Sequence, residues 1–233
     1  MMNKIKPLTL IVGSSSDISA ELIKNLEVNN KLLIITRNNI TVNDNTIVIV
    51  HDLLKNAITA DIINNKLTDE YYIKNLIYTS SYQAGRKKLT DLNNQEILDS
   101  FNVNIINLII LVKEIIKFRP NLPGSFIFFG SQATIVGGDR ISAYAASKGA
   151  IEIFTKSLSK EVGNYGLRVN CISIGTVKTK QLLKDNFDEE KVIKTIPLNR
   201  LGLPMDVVNL SQWLLSDLSS YITGTIIPLA GGR

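Results

Sequence analysis

Tyr144 and Lys148 stand four residues apart in the stretch Tyr144-Ala145-Ala146-Ser147-Lys148. On a helix that spacing stacks two side chains on one face, one turn apart. An ammonium beside a phenol stabilises phenolate, so this tyrosine is expected to exchange a proton well below its ordinary pKa of about 10. Such a group suits general acid–base work on a carbonyl. The same pair occurs by chance on many helices, so its meaning rests on its setting.

Residue counts narrow the other chemistries. Cys171 is the single cysteine, which removes an internal disulfide or a cysteine metal cluster, and its apolar neighbours mark it as a buried strand thiol. His51 is the single histidine, so Ser-His-Asp hydrolysis and multi-histidine zinc sites are out of reach unless His51 itself serves. Acid–base work then falls to Tyr, Lys, Asp or Glu. The net charge of +5 is compatible with acidic partners such as phosphorylated cofactors or carrier proteins. Arg86-Lys87-Lys88 is not extended into a longer basic block and no aromatic-interleaved stripe appears, so nucleic acid is not an expected partner. No apolar run approaches the roughly 18 residues that span a bilayer, and the run at 8–12 stops at Gly13, short for a signal-peptide core. No membrane partner and a cytoplasmic location are expected.

The elements that must position the pair follow from periodicity. Apolar runs predict strands at 9–12, 31–36, 46–50, 73–78, 125–129, 168–174 and 225–229. Helical patterns fall at 18–26, 54–64, 94–118, 143–165 and 207–215. Strands and helices alternate along 233 residues with no linker and no internal repeat. This predicts one α/β domain over 1–233, a Rossmann-like, doubly wound parallel sheet with helices on both faces. Segment 176–204, the least regular, is the candidate substrate lid, because ligands in such sheets lie beyond the carboxyl ends of the strands.

The first strand runs into Gly13-Ser14-Ser15-Ser16-Asp17 and then a helix start, a turn whose free N–H groups and dipole suit an anion such as phosphate. Gly13 permits the sharp turn, and the serines add hydroxyl donors. The second strand ends in Thr36-Arg37. A neutral residue followed by arginine suits a ribose 2′-phosphate and favours NADP(H) over NAD(H), with NAD(H) also acceptable; the plain alternative is a surface charge.

With these residues in place, the chain resembles the short-chain dehydrogenase/reductase family of the single-domain classical type over essentially its whole length. Tyr144 to Lys148 stands where the family has Tyr-x-x-x-Lys. Gly130-Ser131 closes a strand thirteen residues before Tyr144, and Ser131 falls at the catalytic serine. Phe101-Asn102-Val103-Asn104 resembles the segment whose last asparagine completes the catalytic tetrad. Asp52 matches the aspartate that contacts adenine. Asn170 to Thr179 resembles the stretch over the nicotinamide, and Tyr221-Ile222-Thr223-Gly224 with Gly231-Gly232 resembles the closing strand. The resemblance implies that Ser131 polarises the substrate carbonyl, Tyr144 delivers the proton, Lys148 lowers the tyrosine pKa and holds the ribose, and Asn104 positions a relay water. It implies cofactor contacts from Gly13, Ser15, Ser16, Asp17, Ile18, Arg37, Asp52, Thr79, Tyr144, Lys148, Gly175, Val177 and Thr179, and no metal. It also implies a homotetramer or dimer built on helices 94–118 and 143–165 and the last strand.

The glycine-rich turn departs from Thr-Gly-x-x-x-Gly-x-Gly: Asp17 and Ser19 replace the second and third glycines. Asp17 either faces the pyrophosphate, which Coulomb's law disfavours, or caps the helix, which is the expected role. Tyr78-Thr79-Ser80-Ser81 stands in place of Asn-Asn-Ala-Gly, Ile174 replaces a proline, and Ala230 replaces an aspartate. The expected function is NADPH-dependent reduction of a ketone or aldehyde to an alcohol. The substrate class stays open between acyl-carrier-linked and sugar-derived molecules. A dinucleotide-binding regulatory subunit is the alternative.

Overall fold

Inner strands buried on both faces carry unbroken apolar runs, and the computed structural model sets them at the centre of a seven-stranded sheet whose two edge strands are only partly buried. It describes residues 5–68, 70–119, 121–183 and 187–233. The strands are β1 (Lys6–Val12), β2 (Leu32–Thr36), β3 (Thr46–Val50), β4 (Tyr71–Tyr78), β5 (Gly124–Ser131), β6 (Leu167–Ile174) and β7 (Ile226–Leu229). All pair in parallel, in the order β3-β2-β1-β4-β5-β6-β7. The order reverses between β1 and β4, which opens a crevice at their carboxyl ends.

The helices are α1 (Asp17–Leu26), α2 (Ala60–Asn64), α3 (Asn94–Phe101), α4 (Asn107–Phe118), α5 (Ala133–Val136), α6 (Ser142–Val162), α7 (Lys180–Leu183), α8 (Glu189–Ile193) and α9 (Pro204–Leu215). Period-2 alternation divides the apolar side chains between two cores. Leu10, Val12, Leu33, Ile35, Phe126, Phe128, Val169 and Cys171 pack with Leu108 and Leu111 of α4 and Ile151 and Leu158 of α6. Ile11, Ile34, Ile77, Ile127 and Ile172 pack with Leu22 and Ile23 of α1 and Val207 and Leu214 of α9. Cys171 is thus the buried strand thiol that its neighbours foretold.

Two helical expectations need correction. The pattern at 54–64 becomes helical only from Ala60. Residues 52–56 instead form a turn in which the Asp52 carbonyl accepts the N–H groups of Lys55 and Asn56, at 3.0 and 3.2 Å. The run at 94–118 is not one α-helix, because a π-helical turn, Asn102–Ile106, separates α3 from α4. One extra residue in the turn moves the Asn107 N–H to the Asn102 carbonyl and leaves the Val103 carbonyl to a different donor. That donor is the buried Tyr78 hydroxyl, at 2.6 Å. The Asn107 side chain adds bonds to the carbonyls of Asn102 and Leu53, at 2.8 and 3.2 Å. Polar side chains thereby hold the turn that presents Asn104, which is fully buried. The expected lid at 176–204 carries α7 and α8, and its residues 184–186 lie outside the described residues.

Tyr78→Phe keeps the ring and strands the Val103 carbonyl, so it should lower unfolding free energy by ~1–3 kcal/mol. Chemical denaturation followed by circular dichroism reads this, and an unchanged midpoint would show that the bond does not hold the π turn.

Candidate active site

The crevice floor is a knot around one carbonyl. Val12 O accepts the N–H groups of both Thr79 and Ser80 at 2.9 Å, and the Thr79 hydroxyl lies 2.9 Å from it as well. Gly13 adopts φ +101°, and a Cβ there would sit 2.7 Å from the Thr79 hydroxyl and 2.9 Å from Ser80 N. Only glycine fits this cradle without displacing the backbone. Thr79 Oγ1 also accepts from the Ser19 hydroxyl at 3.1 Å. The residues replacing the family's glycine and asparagine thus bond to one another and close the turn. Ser16, not Asp17, is the N-cap of α1, accepting from Ser19 N at 3.1 Å. The Asp17 carboxylate instead accepts the Lys180 N–H at 2.5 Å, joining the start of α1 to the start of α7. The capping role expected for Asp17 is therefore corrected. A side chain one position past the cap projects outward from the helix start and meets the lid segment.

The cleft beyond this turn is lined by Gly13, Ser14, Ser15, Ser16, Thr36, Arg37, Asp52 and Thr79 of the expected cofactor contacts and their neighbours. Thr36 and Ser14 share a 2.5 Å hydroxyl bond. Asp52 accepts the Leu54 N–H at 3.1 Å. Ile18 packs against the second core and is not among the cleft's lining residues. The floor and the free backbone of the serine turn suit a phosphate-bearing dinucleotide, with Gly13 as the point of close approach.

Across the crevice, Ser131 ends β5 and Tyr144 and Lys148 stand on α6. Burial holds the Tyr144 phenol above its ordinary pKa, against a smaller lowering influence of the Ser131 and Ser81 side chains. The structure thus reverses the lowered pKa expected from the tyrosine–lysine spacing. Lys148 Nζ lies 5.8 Å from the Tyr144 ring centroid and donates to the Phe129 carbonyl at 2.8 Å. Burial lowers the lysine itself to about 8, so desolvation governs both groups. The Asn104 carboxamide bridges to this centre. Its oxygen accepts the Tyr82 N–H at 2.7 Å, and its nitrogen donates to Tyr82 O at 3.0 Å and to Ser147 Oγ at 2.8 Å.

Ser81 is the residue that sequence reading missed as a tyrosine partner. β4 and β5 are neighbours with Tyr78 opposite Phe128, so Ser81 and Ser131 each lie three residues further along adjacent strands; that adjacency was the available signal. Behind Ser131, Thr134 Oγ1 lies 2.6 Å from Glu152 Oε1, and Gln132 Nε2 donates to Ser173 Oγ at 3.0 Å. Gly175 packs where a Cβ would meet Ala230 Cα at 2.8 Å. Val177 is buried and bridges to Gly202. The Thr179 hydroxyl accepts the Leu182 N–H at 3.3 Å. These three shape the wall at the end of β6. Among the described residues no cluster of metal-ligating side chains occurs, and no helix is long and apolar enough to cross a membrane.

A family model described as enoyl-(acyl carrier protein) reductase matches residues 49–233. The 3-oxoacyl-(acyl-carrier-protein) reductase FabG of Chlamydia trachomatis is 32% identical over 187 residues, 78% of this chain and 73% of that protein. Among solved structures, 4-hydroxyisoleucine dehydrogenase complexed with NADH and succinate superposes with a TM-score of 0.84 at 26% identity, covering 97% of this chain and 98% of that one. A short chain dehydrogenase family protein from Francisella tularensis shares the fold, with a TM-score of 0.84, 24% identity and 98% coverage of both chains.

Lys148 carries a stability signature of known sign. Between about 8 and its ordinary 10.5, the unfolded chain holds a proton that the folded chain has released, so this group makes stability rise with pH. Cys171, pushed by burial from 9.0 up to about 12, acts in the opposite sense above 9. The difference between wild type and Lys148→Met isolates the lysine. Wild-type stability should gain on the variant as pH rises from 8 towards 10, measured by urea unfolding at each pH; parallel curves would refute the depressed value.

Proposed function

The chain belongs to the short-chain dehydrogenase/reductase family and is an NAD(P)-dependent oxidoreductase; from that premise we propose that it reduces a ketone or aldehyde to an alcohol, with NADPH preferred. The observation that carries the reading is the placement of Tyr144 and the buried Lys148 one turn apart on α6, with Lys148 Nζ 5.8 Å from the Tyr144 ring centroid, and Ser131 at the end of β5. When bound, the dinucleotide supplies the hydride. Gly13, Ser15 and Ser16 hold its phosphates, Asp52 its adenine, and Lys148 its ribose. Ser131 donates to the substrate oxygen and polarises the carbonyl, and Tyr144 transfers its phenolic proton to that oxygen as negative charge develops there. A phenol held above its ordinary pKa stays protonated at neutral pH, the state that an acid in a reduction requires. The Lys148 ammonium, protonated below about 8, stabilises the phenolate left behind. Asn104, with Tyr82 and Ser147 as fixed partners, keeps the relay side of the centre in register.

Arg37 beside the cleft favours the 2′-phosphorylated cofactor. A carbonyl substrate on an acidic carrier protein accords with the +5 charge and with the name of the chlamydial relative; a sugar-derived carbonyl is the second class. No apolar span is present among the described residues, which accords with work in the cytoplasm. Exposed Leu98, Ile106, Ile109 and Ile153 on the helices flanking the sheet favour a homo-oligomer, a tetramer or a dimer.

Tyr144→Phe should leave NADPH binding unchanged and cut single-turnover reduction across a carbonyl panel by ~10²-fold or more. Tight NADPH binding with no turnover of any carbonyl, and no effect of Tyr144→Phe, would instead identify a dinucleotide-binding regulatory subunit. Light scattering on a sizing column should return a mass of two or four times the 25.8 kDa chain; a monomer mass would overturn the oligomer.

A further inference from the structure

A second basin adjoins the cofactor cleft at the outer edge of the sheet. It has a volume of about 650 Å³ and is lined by Arg37, Asn38, His51, Asp52, Lys55 and Asn56, together with Val50. Arg37, His51 and Asp52 also line the main cleft, so the two are continuous. The sheet brings the walls together. Thr36 pairs with Val50 at the end of the β2–β3 register, and His51 N–H donates to Thr36 O at 2.7 Å. Arg37 and His51 therefore leave the sheet side by side.

We propose that Lys55 is a second specificity-determining residue for the cofactor's 2′-phosphate, closing on it from the β3 side while Arg37 closes from the β2 side. The inference rests on the NADPH reading above and adds a residue that the arginine after β2 does not imply. Its support is electrostatic and geometric. Among the described residues neither Arg37 nor Lys55 forms an ion pair with a carboxylate, and two like charges facing one basin repel unless an anion joins them. Asp52, the acid in the basin, forms an ion pair with neither of them. It accepts the Leu54 N–H through its carboxylate and the Lys55 and Asn56 N–H groups through its carbonyl. His51 Nε2–H closes the far end on the Asn56 carbonyl at 2.9 Å. This turn holds the Lys55 backbone in place before any ligand arrives, which lowers the ordering cost of binding. Arginine supplies a planar donor fork and lysine a compact charge, a complementary pair for a phosphate dianion.

The test is calorimetric titration of wild type, Lys55→Gln, Lys55→Arg and Arg37→Gln with 2′,5′-ADP and with ADP, then with NADPH and NADH. Lys55→Gln should weaken 2′,5′-ADP and NADPH by ~3–10-fold, as befits a solvent-accessible charged contact, and leave ADP and NADH within about twofold. Lys55→Arg should recover most of the loss. Equal weakening of phosphorylated and unphosphorylated ligands, or no change in either, overturns the role of Lys55 even if Arg37→Gln abolishes discrimination. Wild-type protein that binds NADPH no tighter than NADH overturns the cofactor preference itself, and this inference with it.

Discussion

One carboxamide joins the parts of this molecule that have to agree. Asn104 uses both ends of its amide on the Tyr82 backbone and its remaining donor on Ser147. The loop after β4 and the turn of α6 between Tyr144 and Lys148 are thereby fixed to the same group. A buried amide with unmet valences is costly, so the π turn that delivers Asn104 is constrained from both sides. Tyr78 takes the carbonyl released by the extra residue, and Asn107 ties the turn to Leu53 beyond β3. Ser81, one residue before Tyr82, is carried on the same tethered loop. Hydrogen-bond satisfaction, not shape alone, sets the geometry around Asn104.

At the cofactor end the same logic works with different residues. The replacements in the glycine turn form a closed polar set: Ser16, Ser19 and Thr79 bond in sequence, ending on the carbonyls of Val12 and Gly13. Gly13 survives because the positive φ and the Thr79–Ser80 backbone leave no room for a Cβ. Asp17 tolerates the position of a lost glycine by turning to the lid segment at Lys180, which leaves the helix start capped by a neutral serine. A remodelled turn of this kind retains its exposed N–H groups for an anion while drawing cohesion from side chains that glycine would not supply.

Burial outweighs the attraction between neighbouring charges at the catalytic centre. Tyr144 is raised and Lys148 lowered for the same reason, desolvation of the charged form. The spacing of the pair implied attraction between phenolate and ammonium, and that attraction acts only once charge develops. At neutral pH Tyr144 is held as the neutral phenol, while Lys148, lowered to about 8, still carries its proton.

The alternation of strands and helices, the parallel sheet and the cofactor end were legible in the sequence because both faces of a doubly wound sheet demand apolar runs with helices between them. The elements that carry Tyr144, Lys148 and Ser131 were likewise readable, since motif order and spacing follow the order of the strand ends. Tertiary structure alone decided the π turn within 94–118, the late start of α2, the partner of Asp17 and the tie between Asn104 and the Tyr82 backbone. Each of these depends on a donor or acceptor far along the chain: Tyr78 for Val103, Lys180 for Asp17, Asn104 for Tyr82. Periodicity reports which face of an element is buried. It does not report which distant polar group completes a hydrogen bond, and in this protein those bonds shape the candidate site.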